Sequence, residues 1–114
     1  MVNASELLVV CLCAEWCGVC REYRARFDQV QAQWPGVQFR WVDIEDEADL
    51  VDPVEVDDFP TLLMLRGQDP VFFGTVRPQA EALERLLRDR LDGAGPAAPV
   101  DPEVSALARR LRGA

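Results

Sequence analysis

A continuous apolar run, Leu7-Leu8-Val9-Val10-Cys11-Leu12-Cys13-Ala14, leads almost directly into Trp16-Cys17-Gly18-Val19-Cys20. That pentapeptide opens an amphipathic segment which stops at Pro35-Gly36. The run is unbroken and partly β-branched, so it reads as a buried strand. Cys20, Tyr23, Phe27, Val30 and Trp34 then recur at spacings of three and four, the stripe of a helix over residues 18–34. A second apolar strand follows at Val37–Ile44, with Val37, Phe39 and Trp41 on one face and Val42 and Ile44 on the other. A buried strand, a helix and a further strand in this order require a parallel, right-handed crossover.

The turn between strand and helix also carries chemistry. Two cysteines separated by two residues can close a small disulfide ring and open it again. A helix start favours the thiolate, because unpaired backbone N–H groups and the positive end of the helix dipole face it. All four cysteines (11, 13, 17 and 20) fall within ten residues. A structural disulfide framework would spread them along the chain, so clustering points to redox chemistry or metal.

Composition narrows the alternatives. A chain of 114 residues that is 49% hydrophobic is one domain and buries a core without disulfide staples. Twelve arginines face twenty acids, for a formal charge of −8, and no basic cluster tracks a phosphate backbone. Nucleic acid is therefore not an expected partner. The absence of histidine and lysine removes imidazole bases, Schiff bases and His-containing zinc sites. No stretch reaches the length of a membrane span, so no membrane partner is expected. Residues 1–6 hold no Lys or Arg, and Glu6 stands where the positive region of a signal peptide would be, so the expected location is cytoplasmic.

Further along, Glu45–Asp58 holds eight acids in fourteen residues, a solvated face with a short helix around Glu47–Val51 ended by Asp52-Pro53. Thr61–Leu65 reads as a third strand and Val71-Phe72-Phe73 as a fourth, joined by a loop at residues 66–70 as an antiparallel hairpin. Pro78 suits the first turn of a helix whose buried face is Leu83, Leu86, Leu87 and Leu91. Gly93–Pro99 reads as an Ala/Gly/Pro linker, and Asp101-Pro102-Glu103 restarts a helix with Val104, Leu107, Ala108 and Leu111 on its apolar side. Its basic end, Arg109-Arg110-Arg112, could meet an acidic surface of the same fold. The fold class is α/β: a four-stranded mixed sheet flanked by helices. The expected organisation is one domain over residues 1–92, then a linker and short C-terminal helix over 93–114.

This order of elements resembles the thioredoxin family, as does Ala14-Glu15-Trp16-Cys17-Gly18-Val19-Cys20, which is similar to the family's active-site segment. Phe59-Pro60-Thr61 resembles the loop whose proline is cis in that family and lies beside the dithiol. Gly67 and Gly74 fall near two glycines of the family's final hairpin and the turn after it. The resemblance covers about residues 6–92. It implies a thioredoxin-like fold lacking the first strand and helix of full-length thioredoxins, with an added C-terminal helix.

The resemblance further implies a thiol–disulfide oxidoreductase that reduces or exchanges protein disulfides and carries electrons through a reversible Cys17–Cys20 dithiol. Cys17 would be the nucleophile and Cys20 the resolver. Trp16, Gly18, Val19, Phe59, Pro60 and Thr61 would contact substrate. No cofactor would be needed, and a separate reductase would supply electrons to a monomeric protein. Three positions depart from the pattern. Val19 replaces the usual proline between the cysteines, Cys11 replaces a buried aspartate, and Trp41 replaces a buried lysine paired with it. The charged acid–base pair beneath the site is thus absent, which weakens turnover and leaves open a thioredoxin-fold binding or scaffold module. Cys11 and Cys13 share one strand face. They read as small buried hydrophobes, with Cys11 the candidate third redox thiol, a pairing or proton partner for Cys20. A tetrathiolate zinc or iron–sulfur site is the remaining reading of the four cysteines, opposed by the roughly 7 Å that an extended strand puts between Cys11 and Cys13.

Overall fold

The computed structural model describes residues 7–92 and 100–111. The linker expected over Gly93–Pro99, and Arg112, lie outside the described residues. The elements are β1 (Leu7–Cys13), α1 (Gly18–Gln33), β2 (Gln38–Asp43), α2 (Ala48–Val51), β3 (Thr61–Arg66), β4 (Asp69–Thr75), α3 (Ala80–Asp92) and α4 (Pro102–Leu111). They form one sheet in the order β2-β1-β3-β4. β1 pairs parallel with β2 and antiparallel with β3, and β3 pairs antiparallel with β4. This is the mixed sheet read from the sequence.

Strand β1 is buried along its whole length, which is why it carries no polar alternation. Its successive side chains enter two separate cores. Leu7, Val9, Cys11 and Cys13 pack with Cys20, Tyr23, Phe27 and Val30 of α1 and with Leu83 and Leu87 of α3. Leu8, Val10 and Leu12 pack with Val51 of α2 and with Val104, Leu107, Ala108 and Leu111 of α4. The two faces of β2 divide as read: Phe39 and Trp41 lie with the first core, and Val42 and Ile44 with the second.

Helix α4 is ten residues long, too short to be stable alone in water, so its order rests on this packing. Arg110 ties it down. Its Nε donates to the Leu50 carbonyl at 2.9 Å and its Nη2 to the Asp52 carbonyl at 3.0 Å, filling acceptors that the end of α2 leaves open. The basic end of the tail thus meets the acidic segment through backbone carbonyls.

The last hairpin and the start of α3 differ from the sequence reading by more than a residue. The hairpin turn is tighter than the loop expected over 66–70, because β4 begins at Asp69 and includes Pro70. Pro70 is tolerated there because β4 is an edge strand, and the pairing skips a residue between Met64/Leu65 and their partners Phe72 and Pro70. Gly67 supplies the positive φ of +62° that the turn needs. Pro78 precedes α3 rather than sitting in its first turn, since the Gln79 carbonyl accepts the N–H groups of Ala82 and Leu83 and the helix starts at Ala80. Among the described residues no helix is long and apolar enough to cross a membrane.

Candidate functional site

The end of β1 and the start of α1 are joined by Ala14–Cys17. This short link folds back on itself: the Cys17 N–H donates to the Ala14 carbonyl at 3.0 Å, and the Arg21 N–H donates to the Cys17 carbonyl at 3.1 Å. Cys17 is therefore the N-cap of α1, in extended conformation, and its side chain makes no capping hydrogen bond. The N–H groups of Gly18, Val19 and Cys20 open the helix without intrahelical acceptors, so they turn partial positive charge toward this end. Cys17 is half-buried, with a free thiol.

Around it stands an apolar rim. Trp16 is 60% exposed and Val19 40% exposed, the two large hydrophobic side chains left in solvent among the described residues. The Trp16 ring meets the half-buried Phe59 ring edge-on, with centroids 5.6 Å apart. Its indole Nε1 donates to Glu45 Oε1 at 2.8 Å, tying the rim to the acidic segment. The Phe59–Pro60 peptide is cis, as the resemblance implied, and so is Asp52–Pro53, which nothing in the sequence reading anticipated. Gly18 is exposed beside Cys17, and Pro60 is buried. Thr61 sits apart from this surface: it is 5% exposed and its hydroxyl donates to the Asp58 carbonyl at 2.6 Å.

The bond present in the structure is not the expected one. Cys20 is bonded to Cys13, with Cα atoms 5.8 Å apart, whereas the expected partner was Cys17. Cys11, the other partner considered, is a free buried thiol. The reason is geometric. Cys13 is the last residue of β1 and faces α1, whose inner stripe begins at Cys20, so the short link brings these two together. Cys11 lies two residues further back, about 7 Å along the strand. The sequence held the signal, since Cys13 shares the face of Cys11 and stands nearer the helix, but the resemblance pointed to Cys17.

Cys11 instead belongs to the core below. Burial pushes its thiol well above the ordinary range, while Arg24 pulls weakly the other way. Tyr23 is likewise raised, by burial first and then by Cys11, and its hydroxyl is buried without a hydrogen-bond partner. Cys11 and Trp41 are register partners across β1 and β2, so the two departures from the family's charged pair are neighbours. Trp41 is covered by the Arg24 guanidinium, 4.9 Å from its ring centroid. Cys20 and Trp41 form part of the floor of a cleft edged by Arg21, Arg24 and Asp43, yet Cys20 itself exposes 0% of its surface.

Asp43, at the end of β2, holds the link in place. Its carboxylate accepts the N–H groups of Glu15 at 2.9 Å, Glu45 at 2.8 Å and Asp46 at 3.2 Å. Burial opposes the charge, but these three donors together keep the carboxyl below its ordinary range. With the folded value depressed, the stabilisation is complete above the unfolded value of about 3.9 and is lost as pH falls through the folded one. Urea unfolding at pH 7 and pH 3 should therefore show wild type losing more stability on acidification than Asp43→Asn. Equal losses would mean that the charge contributes nothing.

A protein-family model described as Thioredoxin matches residues 1–89. The chain is 38% identical over 72 residues to a mitochondrial thioredoxin of Bos taurus, covering 62% of this chain and 43% of that one. It is 29% identical over 69 residues to thioredoxin H2-1 of Oryza sativa, covering 60% and 50%. The chain thus spans about half the length of these curated relatives. Among solved structures, it superposes on a thioredoxin of Trypanosoma brucei brucei with a TM-score of 0.68 at 23% identity, over 81% of this chain and 80% of that chain. It also superposes on a thioredoxin of Nicotiana alata with a TM-score of 0.66 at 26% identity, over 75% and 73%.

Proposed function

Because this chain belongs to the thioredoxin family and carries its fold, we propose that it is a thiol–disulfide oxidoreductase that reduces or exchanges protein disulfides. The observation that carries the reading is the free Cys17 thiol at the N-cap of α1, flanked in the chain by the exposed Trp16 and Val19, with Phe59 set against the Trp16 ring. In this reading Cys17 attacks a sulfur of the substrate disulfide, and the other substrate sulfur leaves as thiolate. Cys20, one helical turn on, then attacks the Cys17 sulfur and releases the second substrate thiol. Each exchange breaks one S–S bond and forms one, so two electrons pass to substrate and the chain ends oxidised.

The exposed rim gives a polypeptide an apolar surface to lie on. The Phe59–Pro60 segment presents backbone for short strand-like pairing. A separate reductase restores the thiols, and a reducing compartment such as the cytoplasm suits a chain whose cysteines cluster at one site. Family membership and the sulfur pair at the helix start both favour this enzyme over a binding module without redox turnover.

A trapping experiment tests the reading. Cys20→Ser removes the resolving thiol, so incubation with a disulfide-bearing protein such as insulin should yield a mixed disulfide at Cys17, visible by mass and cleared by dithiothreitol. Absence of any Cys17 adduct, with insulin reduction equal to that of wild type, would refute it.

A further inference from the structure

We infer that Cys13 is a third redox cysteine of this site, to which the oxidised chain passes its disulfide, changing Cys17–Cys20 into Cys13–Cys20 and freeing Cys17 while the protein is still oxidised. The inference rests on the dithiol reading above and adds a step to it.

Three observations place the sulfurs for this step. Cys13 and Cys20 are bonded, and their Cα separation of 5.8 Å lies within the range a disulfide spans without backbone movement. Cys17 precedes Cys20 by three residues on the same helix start, and its side chain packs against the same core that holds Cys13 and Cys20. Cys20 therefore stands between two candidate partners, one at the surface and one in the core. The Ala14 N–H points at Cys20 Sγ from 3.4 Å, a donor that holds this central sulfur in place while its bonding partner changes.

The step is an intramolecular thiol–disulfide exchange. The Cys13 sulfur attacks Cys20 Sγ, the Cys17–Cys20 bond breaks, the Cys13–Cys20 bond forms, and the proton lost by Cys13 is balanced by the one Cys17 takes up. One disulfide and one thiol stand on each side, so no oxidant or reductant is consumed.

Burial gives the step a direction of access. Cys13 and Cys20 each expose 0% of their surface, so an external thiol cannot reach their bond. The other free thiol, Cys11, is also 0% exposed. Reduction of Cys13–Cys20 must therefore enter through Cys17, by the reverse exchange. Meanwhile the oxidised protein keeps one accessible thiol at its apolar rim, and an adduct formed there persists because Cys20 is already engaged.

The wild-type chain provides the first test. It is oxidised with oxidised glutathione, quenched in acid, and its free thiols are alkylated in denaturant. Cleavage after glutamate at Glu15 separates Cys11 and Cys13 from Cys17 and Cys20. The expected product is a two-chain species linking Cys13 to Cys20, preceded in time by a loop within the Cys17–Cys20 peptide. In Cys13→Ala the oxidised state should stop at that loop, and native alkylation of the oxidised protein should fall from one thiol per chain to none. In Cys17→Ser refolded from denaturant under oxidising conditions, so that the Cys13–Cys20 bond forms before it is buried, that bond should be reduced by dithiothreitol under native conditions at least tenfold more slowly than in wild type. If oxidised wild type holds only the Cys17–Cys20 loop, the relay is overturned and the dithiol reading stands. If the bond in Cys17→Ser is reduced as fast as in wild type, Cys17 is not its entry and the relay is again overturned. The dithiol reading itself falls separately, if Cys20→Ser traps nothing on Cys17.

Discussion

Cys17→Ser abolishes protein-disulfide exchange. The expected loss is about 10³-fold or more, down to the rate of dithiothreitol alone in an insulin reduction assay. The thiolate is the nucleophile of this chemistry, and a serine hydroxyl neither ionises near neutral pH nor forms a disulfide. No other described thiol can substitute. Cys11 is 0% exposed, and Cys13 and Cys20 are bonded to each other within the core. The same variant should fold normally, because Cys17 closes the α1 N-terminus through its backbone, not its side chain. Full activity in Cys17→Ser would mean that the exposed rim is not where substrate sulfur is attacked.

Phe27→Ala carries the largest expected loss of stability. Phe27 is 1% exposed, with its ring 5.4 Å from Phe39, 5.6 Å from Trp41 and 6.2 Å from Tyr23. Two of these pairs are edge-to-face, an arrangement that adds to simple burial. Truncation leaves a cavity between α1 and β2 that three large rings cannot collapse to fill. The cost should be about 3–5 kcal/mol, against a total of about 5–15 kcal/mol for a domain of this kind. At about 4–8 °C per kcal/mol, the melting temperature should drop by some tens of degrees. Urea unfolding that shows less than about 1.5 kcal/mol would indicate that the aromatic cluster is loosely packed.

Most of the architecture is legible in the residues themselves. β1 is legible because a central strand is apolar on both faces. α1 is legible because its stripe from Cys20 to Val30 has helical period. The division of β2 between two cores follows from Phe39 and Trp41 alternating with Val42 and Ile44. The errors have local causes. Pro70 falls in the loop expected over 66–70, but an edge strand with a skipped residue does not need the donor that proline lacks. Pro78 suits a first turn and so falls inside the helix expected there, whereas Gln79 provides the carbonyl that starts α3.

The site is only partly legible. The exposed Trp16 and Val19 and the cis Phe59–Pro60 peptide stand where the motif implied. Thr61 uses its hydroxyl internally, a bond to Asp58 that no spacing reveals. The pairing of Cys20 is the instructive case. Sequence proximity and resemblance both favour Cys17, but contact is decided by which strand residue ends opposite the inner stripe of the helix, and that residue is Cys13.

The sheet also separates two kinds of inheritance. All four cysteines lie on the α1 side of β1, together with Tyr23 and Trp41, while Val104, Leu107, Ala108 and Leu111 fill the opposite side with Leu8, Val10 and Leu12. Substitutions in α4 can change how firmly the domain holds together without touching the cluster in which the cysteines sit. Robustness and reactivity are thus free to drift along separate lines of descent, and the tail helix is the part of this chain on which evolution can experiment at least risk to its chemistry.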